Sequence, residues 1–211
     1  NIVRAYGSSY TDCYFDEAYK HAMREKFERI YGVKDGRTVI VWAPTFRGNA
    51  GQQNAGERTI GETWIDRLAE NPAYLVIKSL HPHMMKRGEL QAMTTGELLF
   101  SADMLITDYS SVMFEYLLLD RPLLLFAPDL EVYRQARGWY LDYKELPGRI
   151  VTQGETLASA VAETLQEDPY KEGRKEFGAR YMSRCDGNAT RRLVHYMIHE
   201  EIKKNDVEKL V

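Results

Sequence analysis

Five short runs of consecutive apolar residues punctuate the chain: Val39-Ile40-Val41-Trp42, Tyr74-Leu75-Val76-Ile77, Met104-Leu105-Ile106, Leu123-Leu124-Leu125-Phe126 and Ile150-Val151. Runs that are continuous rather than alternating mark strands covered on both faces, which points to a parallel sheet. Between them the apolar period changes to that of a helix. Residues 59–70 set Ile60, Trp64, Ile65 and Leu68 on one stripe, and 154–166 repeat this with Leu157, Val161 and Leu165. A third helix is predicted over 112–119. Strand and helix in alternation predict βαβ units with right-handed crossovers. The ends also read as helices. Residues 15–31 are rich in Lys, Arg and Glu with no breaker before Gly32, and 188–204 carry Leu193, Val194, Met197 and Ile198 on one face behind Asn188, a predicted N-cap. The expectation is one α/β domain over 1–211, a Rossmann-like parallel sheet with the terminal helices 15–31 and 188–204 flanking it. The Gly-, Asn- and Gln-rich stretch 47–58 predicts a mobile loop.

Composition narrows the class without changing the fold. The chain has 211 residues, 44% hydrophobic and 28% charged, as expected of a globular domain rather than a disordered tail or coiled coil. Its 28 Lys and Arg against 31 Asp and Glu give a formal charge of −3, so no global basic field draws it to nucleic acid. An anion site must be local. Cys13 and Cys185 have neither disulfide-framework nor metal-ligand spacing, and no apolar run approaches the ~18 residues of a membrane span. The chain opens on Asn1 without Met, which predicts a piece of a longer protein.

In an open parallel sheet, ligands bind beyond the carboxyl ends of the strands. Four segments follow strands there with unusual polar content: Ala43-Pro44-Thr45-Phe46-Arg47, Lys78-Ser79-Leu80-His81-Pro82-His83, Thr107-Asp108-Tyr109-Ser110-Ser111 and Ala127-Pro128-Asp129. Ser110 and Ser111 stand where a strand gives way to a helix, so their hydroxyls and the first-turn amides suit a phosphate. Equally, Asp108 or Ser110 serves only as an N-cap. His81, held at a strand end by Pro82, suits proton transfer or phosphate neutralisation, although a loop histidine without a role is commoner. Arg47 and Lys78 follow strand ends, and Arg137 lies in a predicted loop whose Gly138 lets backbone approach a ligand. Glu115 is either a ribose acceptor or an ordinary helix glutamate. Tyr133, Trp139, Tyr140 and Tyr143 either stack on a base or pack a long loop. His195 and His199, four apart with no third ligand, read as a solvated helix face, and no Walker A or GxGxxG motif occurs.

Together these residues resemble a known family. Asp103-Met104-Leu105-Ile106-Thr107-Asp108-Tyr109-Ser110-Ser111-Val112-Met113-Phe114-Glu115-Tyr116, then Asp120-Arg121-Pro122, Arg137-Gly138-Trp139-Tyr140 and Glu145-Leu146-Pro147-Gly148, are similar to motifs of the CDP-glycerol glycerophosphotransferases, the teichoic acid primases and polymerases. Trp42-Ala43-Pro44-Thr45-Phe46-Arg47 and the Lys78, His81-Pro82 pair resemble two more, in the same order. The likeness is dense over 39–151 and loose elsewhere. It implies the carboxyl-terminal, donor-binding half of a GT-B type fold, with an amino-terminal acceptor half and its membrane-lying helices outside this chain. It also implies a cytoplasmic location, at the membrane's inner face for the full-length parent. The implied reaction is attack by a hydroxyl of a lipid-linked poly(glycerol phosphate) acceptor on the β-phosphorus of CDP-glycerol, releasing CMP. The resemblance gives Thr45, Arg47, Lys78, Asp108, Ser110, Ser111, Arg137 and Gly138 to donor binding, Glu115 to the ribose and His81 to the departing phosphate. It calls for no metal and no cofactor beyond the donor substrate. Where the family usually shows Gly-x-Pro-Arg-x-Asp before the first helix, this chain has Gly7-Ser8-Ser9-Tyr10-Thr11-Asp12. CDP-ribitol or a nucleotide-sugar as donor, and a non-catalytic flavodoxin-like binding module, are the alternative expectations.

Overall fold

The computed structural model describes residues 4–32, 35–47, 59–80, 91–138 and 140–208. His81, Pro82, His83, Trp139 and most of the predicted 47–58 loop lie outside these residues.

All five apolar runs form strands: β1 (Thr38–Ala43), β2 (Tyr74–Lys78), β3 (Met104–Thr107), β4 (Leu123–Phe126) and β5 (Arg149–Val151). They make one wholly parallel sheet in the order β2-β1-β3-β4-β5. Strand alternation sends Val39, Val41, Leu105, Leu123 and Leu125 to one face, and Ile40, Trp42, Met104, Ile106, Leu124 and Phe126 to the other. Each face carries helices. α1 (Glu17–Tyr31), α3 (Thr95–Leu99) and α4 (Val112–Leu117) cover the first, with Phe27, Leu98, Leu99 and Tyr116 packed into it. α2 (Glu62–Ala69) and α6 (Leu157–Glu167) cover the second through Ile65, Leu68, Leu157 and Val161. Burial on both sides is why these strands needed no polar residue in their central positions.

The helices differ from expectation mainly at their ends, each for a local reason. α1 starts at Glu17 because the Asp16 side chain accepts from the Tyr19 amide at 3.0 Å, and a 3-10 turn, Ser9–Phe15, precedes it. A 3-10 turn, Gly154–Thr156, likewise leads into α6. Three helices were not anticipated: α3, α5 (Leu130–Arg137) and α7 (Lys171–Tyr181).

The last helix, α8 (Ala189–Glu208), requires two corrections. Asn188 stands at the N-cap position, its carbonyl accepting from the Arg192 amide at 3.0 Å, but its side chain does not cap the helix and instead donates through Nδ2 to the Asp186 carbonyl. The cap is Asp12, whose carboxylate accepts from the Ala189 and Thr190 amides at 3.0 and 2.8 Å. The apolar stripe also faces outward, with Leu193, Val194, Met197 and Ile198 between 38% and 55% exposed. Nearby, Gly7 sits at φ +84°, and a Cβ there would meet the Arg184 carbonyl at 2.0 Å. The two residues of the family's opening pattern that this chain keeps, Gly7 and Asp12, are thus both at the junction of the opening segment with α8.

Candidate functional site

The strand order creates the site. β1 and β3 are neighbours, yet the chain leaves β1 toward α2 on one face and β3 toward α4 on the other. A crevice opens where successive connections diverge in this way. The Thr107 hydroxyl donates to the Ala43 carbonyl at 2.6 Å, closing the floor between the two strand ends.

Above that floor, Asp108 organises the loop that follows β1. Its carboxylate accepts from the Thr45 amide (2.9 Å), the Thr45 hydroxyl (2.7 Å) and Arg47 Nη2 (2.7 Å). Arg47 in turn donates through Nε to Asp129, beyond β4, at 2.8 Å, and through Nη1 to the Thr45 carbonyl. Tyr109 donates its hydroxyl to the same Asp129 at 2.9 Å and stacks on Tyr133 of α5 at 3.7 Å. The Arg47 guanidinium lies over both rings, 4.8 and 5.3 Å from their centroids. One arginine thereby ties together the ends of β1, β3 and β4. Burial disfavours the charged forms, but the mutual hydrogen bonds and charges win: Asp129 is held below the usual carboxylate range and Arg47 above its ordinary value.

Two hollows flank the β3–α4 turn, and Ser110 and Ser111 line both. The larger, about 530 Å³, runs over Asp108, Tyr109, Tyr133, Arg137, Gly138 and Tyr143. The smaller, about 320 Å³, is walled by Tyr10, Pro44, Ser79, Thr95, Gly96 and Glu115. Ser110 Oγ accepts from the Val112 amide at 3.3 Å, so it half-caps α4 while facing both hollows. In the smaller hollow, Glu115 Oε2 accepts from the Tyr14 hydroxyl at 3.2 Å. Burial raises the Glu115 carboxyl above its ordinary value, and the Tyr14 hydrogen bond offsets this only in part. Burial and the Glu115 charge push Tyr14 upward too, so its hydroxyl stays a donor.

The structure brings together Thr45, Arg47, Asp108, Ser110, Ser111, Glu115, Arg137 and Gly138 along this rim. Three assignments change in kind. Arg47 lines neither hollow, because two carboxylates hold its guanidinium. Lys78 turns onto α2, where Glu62 accepts its ammonium at 2.8 Å and Asp66 pairs with it, so it does not reach the crevice. Arg137 is not in a loop: it ends α5, and Gly138 terminates that helix at φ +67°. His81, proposed as catalytic, lies outside the described residues. Sequence reasoning missed Tyr14, whose hydroxyl meets Glu115 from 101 positions earlier, and Tyr10, which lines the same hollow, and gave Asp129 no role. The Pro-Asp pair after β4 was the available signal for Asp129; nothing local announced the tyrosines.

Residues 2–199 match the family model described as CDP-Glycerol:Poly(glycerophosphate) glycerophosphotransferase. The chain belongs to that family. It is 32% identical to the teichoic acid poly(ribitol-phosphate) polymerase of Bacillus spizizenii, over 94% of this chain and 33% of that protein. It is 39% identical to the teichoic acid poly(glycerol phosphate) polymerase of Bacillus subtilis, over 63% and 20%. A solved structure of a variant of the wall teichoic acid polymerase TagF, soaked with CDPG, superposes with a TM-score of 0.73 at 26% identity, covering 96% of this chain and 53% of that one. The chain of this family member therefore spans between a fifth and about half of these relatives. No helix among the described residues is long and apolar enough to cross a membrane.

Proposed function

We propose that this chain is the donor-binding part of a transferase that moves glycerol phosphate from CDP-glycerol to a hydroxyl of a lipid-linked teichoic acid acceptor, releasing CMP. One observation carries the reading: two hollows of unequal size meet at Ser110 and Ser111, with a carboxylate on one side and an arginine on the other. A nucleoside diphosphate ester has that division. The ribose diol meets Glu115 in the smaller hollow, the diphosphate lies across the two serines, and the glycerol end extends toward Arg137 in the larger. The acceptor hydroxyl gives its proton to a base of the amino-terminal half and its oxygen bonds to the β-phosphorus as the bond from that phosphorus to the bridging oxygen breaks and CMP leaves, so negative charge gathers on the leaving phosphate. Hydroxyls and amides already directed there stabilise it without reorganising. His81, which follows Lys78-Ser79-Leu80 in the sequence, is the proton donor to that phosphate. The membrane surface and the acceptor are met by the amino-terminal half, and this chain alone is inactive because half the cleft is elsewhere.

A second reading, CDP-ribitol as donor, is favoured by the likeness to ribitol-phosphate polymerases. Titration calorimetry with CDP-glycerol, CDP-ribitol and a UDP-sugar tests both. CDP-glycerol is expected to bind most tightly, and the Ser110→Ala/Ser111→Ala variant to bind it about tenfold or more weakly, from the loss of charge-assisted hydrogen bonds. Preference for CDP-ribitol would transfer the assignment to the second reading. Preference for the uridine nucleotide, or no nucleotide binding, would sink both.

A further inference from the structure

Among the described residues that line the smaller hollow, Glu115 is the one charged group. A diphosphate finds no cation there, so the hollow suits a neutral, hydrogen-bonding part of a ligand. At about 320 Å³ it stands near the lower end of the ~300–1,000 Å³ typical of ligand pockets, which is room for a nucleoside and not for a polymer.

One wall of it is aromatic. Tyr10 is 60% exposed, and among the described residues no second ring packs against it. Its backbone is nonetheless anchored, since in the same 3-10 turn Asp12 caps α8 and Tyr14 bonds to Glu115. Gly96 of α3 keeps the neighbouring space open: a Cβ there would meet the Tyr10 hydroxyl at 2.6 Å and Glu115 Oε2 at 3.8 Å. Ser79, which follows β2, and Thr95 also line the hollow, and their hydroxyls share a hydrogen bond at 2.8 Å. That bond uses one of their two protons, leaving one to donate and lone pairs to accept. An exposed ring beside a spare donor and acceptor matches a nucleobase, whose face stacks and whose edge carries both kinds of atom.

The tyrosines of the larger hollow are less suited to a base. Tyr109 and Tyr133 stack on each other at 3.7 Å with Arg47 over both rings. Tyr143 is buried, and its hydroxyl donates to the Asp108 carbonyl at 3.1 Å. Connectivity acts in the same direction. Ribose lies between base and diphosphate, so a ribose at Glu115 with phosphates on Ser110 and Ser111 keeps the base in the smaller hollow. We propose, on the donor-binding function given above, that Tyr10 is the stacking platform for the donor's nucleobase, with Gly96 left bare to admit the ring and the Ser79 and Thr95 hydroxyls meeting its edge.

The test is titration calorimetry of the full-length protein with CDP-glycerol and, as a probe that lacks the base, ribose 5-phosphate measured by displacement. Tyr10→Leu is expected to weaken CDP-glycerol binding about tenfold, whereas Tyr10→Phe, which keeps the ring, retains most of it. Ribose 5-phosphate affinity should move in neither. Tyr140→Leu, at the fully exposed tyrosine of the larger hollow, should leave CDP-glycerol affinity unchanged. Because Tyr10 is exposed, an unchanged melting temperature checks the fold of its variants. Unchanged CDP-glycerol affinity in Tyr10→Leu would overturn the proposal. So would an equal loss for ribose 5-phosphate, which would make Tyr10 a shaper of the hollow, or a loss in Tyr140→Leu in its place. Failure of the unsubstituted protein to bind CDP-glycerol would instead remove the donor reading, and the base assignment with it.

Discussion

Two carboxylates on the same rim meet opposite fates. Asp129 has an arginine and a tyrosine hydroxyl, and its ionised form is stabilised below the ordinary carboxylate value. Glu115, about as deep in the rim, has among the described residues one neutral hydroxyl and no cation as hydrogen-bond partner, and its carboxyl is raised. Charge compensated from within maintains architecture, whereas charge left under-compensated beside a cavity is available to a ligand. On the function proposed above, the Arg47 cluster is the frame of the site, and the Glu115 hollow its working face.

The contrast breaks most readily at the frame. Arg47→Ala leaves Asp108 and Asp129 facing each other without their shared cation, and is expected to cost about 3 kcal/mol in urea unfolding, at the lower end for one partner of a buried pair. A loss under about 1 kcal/mol would mean that solvent already screens the cluster.

The second break separates binding from folding. Glu115→Gln should lower nucleotide affinity about tenfold, yet alter stability by no more than about 0.5 kcal/mol. The pH profiles should also run in opposite senses. Asp129 contributes stability that is present above its ordinary value of 3.8 and lost as pH falls through its lower folded value. Glu115 contributes stability that is present below 4.5 and lost as pH rises through its raised folded value. Removing Glu115 should delete only that alkaline-side decline, measured as unfolding free energy from acid to neutral pH. A variant that keeps the decline assigns it to another group.

The smallest expected effect sharpens the same boundary. Tyr14→Phe preserves the ring packing on Phe100, whose centroid lies 4.8 Å away, and deletes only the hydrogen bond to Glu115. A cost of about 1 kcal/mol, with a few-fold weaker nucleotide affinity, is expected. Loss of affinity with no change in stability would make Tyr14 a ligand contact instead.

The sheet was legible because each strand is apolar on both faces, so five runs announced five strands. Helices were legible where one side is buried, as in α2 and α6, and not in α5, which buries no residue, or α7, which buries only Arg174 and contains two glycines. α8 misled through its pattern: a real apolar stripe exists, but it lies on the side away from this chain's core. At the site, Ser110, Ser111 and Glu115 could be found because a strand end followed by a helix is a local signal. Arg47 was placed at the right rim with the wrong partners, since Asp108 and Asp129 lie 61 and 82 positions away and a sequence does not state which charges will meet.

The Asp12 cap has a consequence for the order in which the molecule can be completed. The amides it serves belong to residues 189 and 190, 177 and 178 positions later, so on the ribosome the opening turn waits for that segment before its carboxylate finds them. Closure of the turn against α8 is thus a long-range event. Because Tyr10 and Tyr14 belong to that same turn, the smaller hollow gains its far wall only once the start of α8 has been made.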